Sequence, residues 1–440
     1  MAGSESQDSA SAFRPFHPLA NPRTCSMALP HTVSTGKSPT PTTVLRGTGR
    51  RDRTWFSICA TIFVIAWGGN QFTPLLTMYR AQRGFSELAV NTLLFAYVVG
   101  LIPSLLHAHR LAERWGPRAP LVLAVPASAL GSILVAAGSH NPALMFAGRM
   151  STGMALGIGM VVGGLALDSL TTTPGRAPRA SAMSLTSGFA TGAGTAGVLA
   201  QWAPAPTTAA YVLHVILCAA GAVLIVRFAP KTARTPAVRS GTARTRIPLP
   251  AAFHLLVIPA APWIFGALGI AYAVLPSIVA SQLDGFTTAF SGLLCLLSLG
   301  LGFFAQRLVG TTAGRTGPAR VTGVALVVTG MLAAACAAAT EVLWLAVVAA
   351  SVLGIGYGLT LVGCLRDCER LAPPGRLGTM TGRVYCLGYL GFGLPTAIAW
   401  LHSSFTIGTT AILLCVAAVA VVSNAGGAAV LRFVRRVHPG

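Results

Sequence analysis

Few residues in this chain have the types and spacing to do chemistry, and where they fall is informative. Its ten acids are Glu5, Asp8, Asp52, Glu87, Glu113, Asp168, Asp284, Glu341, Asp367 and Glu369. None lies at the middle of a long apolar run. One base does: Arg149 sits seven residues past Pro142, about 10 Å into a helix at ~1.5 Å per residue. Two adjacent amides, Asn70 and Gln71, lie in the stretch Trp67-Gly68-Gly69-Asn70-Gln71-Phe72-Thr73-Pro74, and a lone imidazole, His214, sits in another apolar run. Charges and amides in such places need water or a polar partner, and Arg149 is expected to meet either water in a central cavity or a partner such as Asn70 or Gln71. Cys364 and Cys368 are four apart, but no His or further Cys at ligand spacing accompanies them, so no metal site is expected. No nucleophile–base–acid set appears, which argues against an enzyme. No Gly-x-x-x-x-Gly-Lys-Ser/Thr loop is present, so ATP-driven work is not encoded and no cofactor is expected.

The elements that must hold these residues are long and greasy. Of 440 residues 53% are hydrophobic and 9% charged, with a mean hydropathy of +0.69. A soluble chain carries about 25% charged residues, so a polytopic membrane protein is indicated. The net charge of +21 comes from scattered bases between apolar runs, which points away from nucleic acid. Twelve runs are long enough to cross a bilayer as helices, at about 54–78, 88–106, 119–138, 142–170, 180–201, 207–226, 251–280, 288–305, 321–339, 342–365, 384–401 and 406–431. Continuous runs favour helices over a barrel, whose strands alternate.

Placing the N-terminus in the cytoplasm puts 28 of the 31 Lys and Arg on that side. Arg80 and Arg83 lie opposite and Arg149 lies inside a helix. That bias predicts both termini in the cytoplasm. The domains expected are a flexible cytoplasmic tail (1–53), a six-helix bundle (54–226), a basic cytoplasmic linker (227–250), a second six-helix bundle (251–434) and a short tail (435–440). Translation could start at Met1 or Met27. A repeat supports the division. Gly157-Ile158-Gly159, Asp168 and Pro174-Gly175-Arg176 recur as Gly354-Ile355-Gly356, Asp367 and Pro374-Gly375-Arg376.

Between the second and third runs the chain reads His109-Arg110-Leu111-Ala112-Glu113-Arg114-Trp115-Gly116-Pro117-Arg118. This resembles the signature loop of the major facilitator superfamily, Gly-x-Leu-Ala-Asp-Arg-x-Gly-Arg-Arg. Leu111, Ala112, Arg114, Gly116 and Arg118 match and Glu113 keeps the carboxylate, while His109 and Pro117 depart. Arg149 followed by Gly153 and Gly157 is similar to a second signature of that family. Gly188, Gly192 and Gly197 resemble the signature of its drug:proton antiporter branch, with Ala193 in place of the central Pro. The resemblance covers about 54–434.

The resemblance implies an all-α membrane fold of twelve helices in two six-helix bundles, with the first, fourth, seventh and tenth helices lining a central cavity. Asn70, Gln71, Arg149, Tyr272 and Tyr357 would then face substrate, joined by Tyr385 and Tyr389 at i and i+4. Glu113, with Arg110, Arg114, Gly116 and Arg118, would form a cytoplasmic latch. The small residues Gly153, Gly157, Gly188, Gly192 and Gly197 would let helices approach closely.

The expected function is proton-coupled efflux of drug-like or secondary-metabolite molecules. With no mid-membrane carboxylate to balance a cation, neutral or anionic lipophilic substrates fit best. Asp168, Glu87 and His214 are the candidates for binding the coupled proton. An importer on the same fold, or a membrane sensor or assembly protein that does not transport, are the alternatives. The expected partners are a small-molecule substrate, the proton and the lipid bilayer, with no nucleic acid and a monomer as the working unit. Arginine outnumbers lysine 29 to 2 in an Ala- and Gly-rich chain, which suggests a GC-rich bacterial genome and hence the inner membrane.

Overall fold

The computed structural model describes residues 41–173, 176–228, 249–311, 319–373 and 376–437. Most of the expected N-terminal tail and basic linker lies outside these residues, as do residues 438–440, Pro174, Gly175, Pro374 and Gly375. Met1–Arg46 forms a unit of its own, and the site described below lies entirely within Gly47–Gly440.

Among the described residues all regular structure is helical. The α-helices are α1 (Pro41–Asn70), α2 (Leu75–Arg83), α3 (Glu87–Trp115), α4 (Arg118–Ala137), α5 (Pro142–Asp168), α6 (Arg176–Trp202), α7 (Ala209–Phe228), α8 (Ala261–Gly269), α9 (Leu275–Ile278), α10 (Thr287–Thr311), α11 (Ala319–Thr340), α12 (Leu343–Leu371), α13 (Leu377–Leu390), α14 (Leu394–Phe405) and α15 (Thr409–Val437). Among the described residues ten helical stretches are long and apolar enough to cross a membrane. Two further long helices, α1 and α6, are less apolar: α1 carries Arg46, Arg50, Arg51 and Arg53 in its first half and ends at Asn70, and α6 is rich in Gly, Ser and Thr.

Local signals explain the ends. Ser86 caps α3, its Oγ accepting from the Ala89 N–H at 3.1 Å. Asn141 caps α5 through the Ala143 and Leu144 N–H groups, with Pro142 at the first helical position, where a missing N–H costs nothing. Gly84 ends α2 at φ 66°, a left-handed conformation that glycine takes without strain.

The first apolar run, expected to be one span over 54–78, is two helices. Pro74 has no N–H to give the Asn70 carbonyl, so the chain tightens there. The Thr73 N–H goes to Asn70 O at 3.2 Å and the Leu75 N–H to Phe72 O at 3.1 Å. The Gly69 carbonyl thereby loses its usual donor four residues on. The run expected over 251–280 is interrupted too, by the π-helical turns Phe253–Val257 and Ile270–Val274 on either side of α8. Gly391–Gly393 forms a 3₁₀ turn between α13 and α14.

The outer surface is apolar. Val212, Ile216 and Val223 of α7 and Phe304 and Leu308 of α10 are more than half exposed. An exterior of this kind suits lipid rather than water. Inside, α5 packs against α3 and α4, and α12 against α10 and α11. Helix α6 packs along α10, joining the first half of the sequence to the second.

Candidate functional site

The break after α1 creates the polar centre of the molecule. Arg149 of α5, 1% exposed, reaches it. Its Nη1–H donates to the freed Gly69 carbonyl at 3.2 Å, and its Nε–H to the Leu93 carbonyl of α3 at 3.3 Å. The guanidinium carbon lies 4.7 Å from the Phe72 ring centre and 4.9 Å from that of Tyr97. Cation–π contacts of this kind are worth about 2 kcal/mol each when desolvated. Nη2 has no hydrogen-bond partner among the described residues. Of the compensations expected, a bond to the Asn70 or Gln71 side chain is not found. Backbone carbonyls and aromatic faces hold the charge, while the Asn70 amide bonds Phe189 and Thr73 and Gln71 turns its Nε2 to Ser132.

The Asn70 Nδ2–H donates to the Phe189 carbonyl of α6 at 3.2 Å, and its Oδ1 accepts from the Thr73 hydroxyl at 2.8 Å. Gln71 Nε2–H donates to Ser132 Oγ of α4 at 2.8 Å. Ser132 lies 2.7 Å from His214 Nδ1, and His214 Nε2 lies 3.0 Å from the Val64 carbonyl of α1. Three helices, α1, α4 and α7, and the turn after α1 thus meet in one buried chain of hydrogen bonds. Above it, the Tyr79 and Tyr211 hydroxyls are 3.3 Å apart.

An aromatic cluster closes the centre from the other half of the sequence. Tyr389 of α13 stacks on Phe265 of α8 at 4.2 Å and meets Tyr97 edge-on at 6.2 Å. Phe392 lies 5.8 Å from Tyr97 and 6.3 Å from Tyr272, and Tyr357 lies 5.7 Å from Phe265. The Tyr389 hydroxyl points to Met160 Sδ of α5 at 3.4 Å. Of the tyrosines singled out in the sequence, Tyr272, Tyr357 and Tyr389 are buried here and Tyr385 is half-buried one turn away. Phe265, Phe392 and Tyr97 were missed, since nothing in their own stretches marks which aromatic face turns inward.

The glycines lie at helix contacts. A side chain at Gly153 would overlap the Tyr97 carbonyl, and one at Gly157 would come within 2.8 Å of the Leu101 carbonyl. Gly188 and Gly192 abut the α1 backbone at Phe63 and Trp67, and Gly197 faces Gly292 of α10.

The two ends of the helices differ. At the Glu87 end Arg80 pairs with Glu87 at 3.4 Å and donates to the Ser277 hydroxyl at 2.8 Å. Thr77 meets Thr288 at 3.2 Å, and the Gln201 amide donates to the Gly285 carbonyl at 3.1 Å. These contacts line a cavity of about 560 Å³. At the Trp115 end Glu113, Arg110 and Arg114 are exposed and make no ion pair among the described residues. Arg118 there donates to the Val226 carbonyl at 2.8 Å, and Gly116 takes φ 73°. Asp168 is exposed and unpaired among the described residues, whereas its counterpart in the repeat, Asp367, binds Arg320 at 2.8 Å.

The sequence pattern of the Major Facilitator Superfamily matches residues 56–396. Among curated proteins none matches the chain by sequence. Solved structures share its fold. The nucleoside transporter NupG is 14% identical with a TM-score of 0.65, over 86% of this chain and 98% of that one. The POT family transporter PepTSo is 12% identical with a TM-score of 0.68, over 86% and 98%. A D-xylose-proton symporter is 13% identical with a TM-score of 0.60, over 83% and 96%.

Proposed function

We propose a substrate class, a direction and an energy source for a chain that belongs to the Major Facilitator Superfamily and is a transporter rather than an enzyme. It is a proton-driven exporter of neutral or anionic lipophilic molecules. It crosses the bacterial inner membrane twelve times as two six-helix bundles, 54–226 and 251–434, and works as a monomer with both termini in the cytoplasm. The one-sided distribution of Lys and Arg supports that orientation.

The observation that carries the substrate class is Arg149. It is a buried cation with one nitrogen unfilled, set against the Phe72 and Tyr97 rings, with Tyr389 and Phe392 packed on Tyr97 in turn, and no described carboxylate reaches it. Such a centre attracts a carboxylate or a polarisable flat molecule and repels a cation. In this reading Asn70, Gln71, Tyr272, Tyr357 and Tyr385 join Arg149 in lining the substrate path. Substrate would enter by separating α3 from α13, where Tyr97 and Tyr389 now meet.

Most polar contacts between the two halves lie at the Glu87 end, with the Arg307–Met183 contact at the other, and the Glu113 loop makes no ion pair among the described residues. This favours a state open toward the cytoplasm, with the Glu113 latch formed only in the opposite state. Among the proton-binding candidates, Glu87 is engaged by Arg80 and Asp168 lies at an exposed end. His214 alone is enclosed near the centre. The neighbour described as a D-xylose-proton symporter favours a proton as the coupled ion and supports a second reading, import on the same fold.

The test is flux into inverted membrane vesicles with an acid interior, using matched neutral, anionic and cationic lipophilic dyes. Neutral and anionic dyes should accumulate and lose their gradient when the pH difference is collapsed. Accumulation of the cationic dyes alone would overturn the substrate class. Gradient-driven release rather than accumulation would favour import.

A further inference from the structure

The hydrogen bonds around His214 have a direction. The Val64 carbonyl can only accept, so Nε2 carries a proton and donates to it at 3.0 Å. Nδ1 is then an acceptor, and the Ser132 hydroxyl donates to it at 2.7 Å. The Ser132 oxygen is left to accept, and it takes the Gln71 Nε2–H at 2.8 Å. Gln71 Oε1 is turned away and has no partner among the described residues. The neutral imidazole is therefore fully served, and the unmet acceptor lies at the far end of the chain, on the residue that opens the break between α1 and α2.

A second order exists for the same groups, with the unmet position passing from Gln71 Oε1 to its Nε2. A proton arriving on Nδ1 from water makes imidazolium, which donates at both nitrogens. Ser132 must then accept from Nδ1 and turn its own hydrogen toward Gln71. The amide can receive it only by rotating so that Oε1 faces Ser132, which gives that oxygen the partner it now lacks. We propose that His214, Ser132 and Gln71 form a proton-binding relay that turns the Gln71 amide at the break in the first span. This rests on the transporter reading and names the coupling site within it.

The surroundings agree with this assignment. The groups facing His214 are Val64 and Gly68 of α1, Ser132 of α4, and the Cys218 thiol of its own helix, 3.4 Å from Nε2. No carboxylate or cationic side chain touches it among the described residues, and the ion pairs Arg80–Glu87 and Arg320–Asp367 lie elsewhere. The proton is thus held by hydrogen bonds rather than by a counter-charge. That suits a site that must also release it. A side chain at Gly68 would overlap the imidazole ring, so glycine there leaves room for it.

The experiment is infrared difference spectroscopy of the ligand-free full chain in lipid vesicles, stepped from about pH 8 to about pH 4 around the histidine range. The wild-type spectrum minus that of His214→Asn isolates this imidazole from the other histidines. The relay predicts a histidinium band together with a shifted glutamine carbonyl band. In Gln71→Met the carbonyl band should vanish and the midpoint fall by about one pH unit, a tenfold weaker proton affinity. Ser132→Ala should keep a histidinium signal and lose the glutamine response, and it serves if His214→Asn fails to fold. No histidine signal, or a midpoint unchanged in Gln71→Met, overturns the relay. Because no substrate is present, a positive result alongside a silent dye assay would sink the export reading and leave the relay standing.

Discussion

Lysine in place of Arg149 keeps the charge but not the fork. The guanidinium spans the Gly69 and Leu93 carbonyls on two different elements and lies against two rings. An ammonium can reach one of these sites at a time. Losing one charged hydrogen bond costs about 1.5–3 kcal/mol, so Arg149→Lys should fold with lower stability and keep part of the dye flux. Arg149→Ala should retain insertion, lose more stability and lose flux. Thermal unfolding in detergent, read beside flux per folded molecule, checks both. Full flux in Arg149→Ala would leave the arginine a structural clamp only.

How much of this was visible in the residues varies with the question. That Arg149 sits deep in a helix follows from counting from Pro142. Its partners do not follow, because they are main-chain carbonyls whose availability depends on a break elsewhere. Pro74 was the available signal, since a proline four residues after Asn70 must disturb the bonding of the preceding turn. His214 was visible as a lone imidazole, but Ser132 was not, because helix periodicity gives a face and not its rotation toward a neighbour.

At the scale of elements, ten described stretches are long and apolar enough to span, and hydropathy did not show the interruptions. The runs at 88–106, 119–138 and 142–170 correspond to α3, α4 and α5. The breaks at 71–74, 270–274 and 391–393 fall inside runs whose average hydropathy stays high, so a window over each run passes across them. Glycine spacing was the better guide to contacts. Gly197 and Gly292 let α6 and α10 touch near the Glu87 end, with a Cβ on Gly197 reaching 2.9 Å from the Gly292 Cα. Gly197→Leu should therefore push that end apart without unfolding the helices, since Ala196 and Ala200 still pack on their own side. Spin labels on Gln201 and Gly285 should lie farther apart in Gly197→Leu than in its parent. An unchanged distance would mean that this seam does not hold the end closed.

For the whole molecule, the proposed orientation rests on the one-sided distribution of Lys and Arg. It would put the end bearing Arg110, Arg114, Arg118 and Arg320 in the cytoplasm and the end bearing Arg80 and Glu87 on the far side. Reporter fusions at Gly241, in the linker outside the described residues, and after the C-terminus should both report a cytoplasmic location. A periplasmic signal from either would break the alternation of spans on which the orientation rests.

The central claim is that the two ends open in turn around the Arg149 centre. Pulsed electron resonance on the full chain in lipid tests it most directly, with one label pair at Met183 and Arg307 and another at Gln201 and Gly285. These pairs bridge the two halves at opposite ends, through the Arg307–Met183 contact and the Gln201–Gly285 hydrogen bond. Acidification, or a dye that accumulates in the vesicles, should shorten the distance in one pair and lengthen it in the other, with the two populations changing together. Distances that stay fixed at both ends, or that lengthen together, would contradict the account.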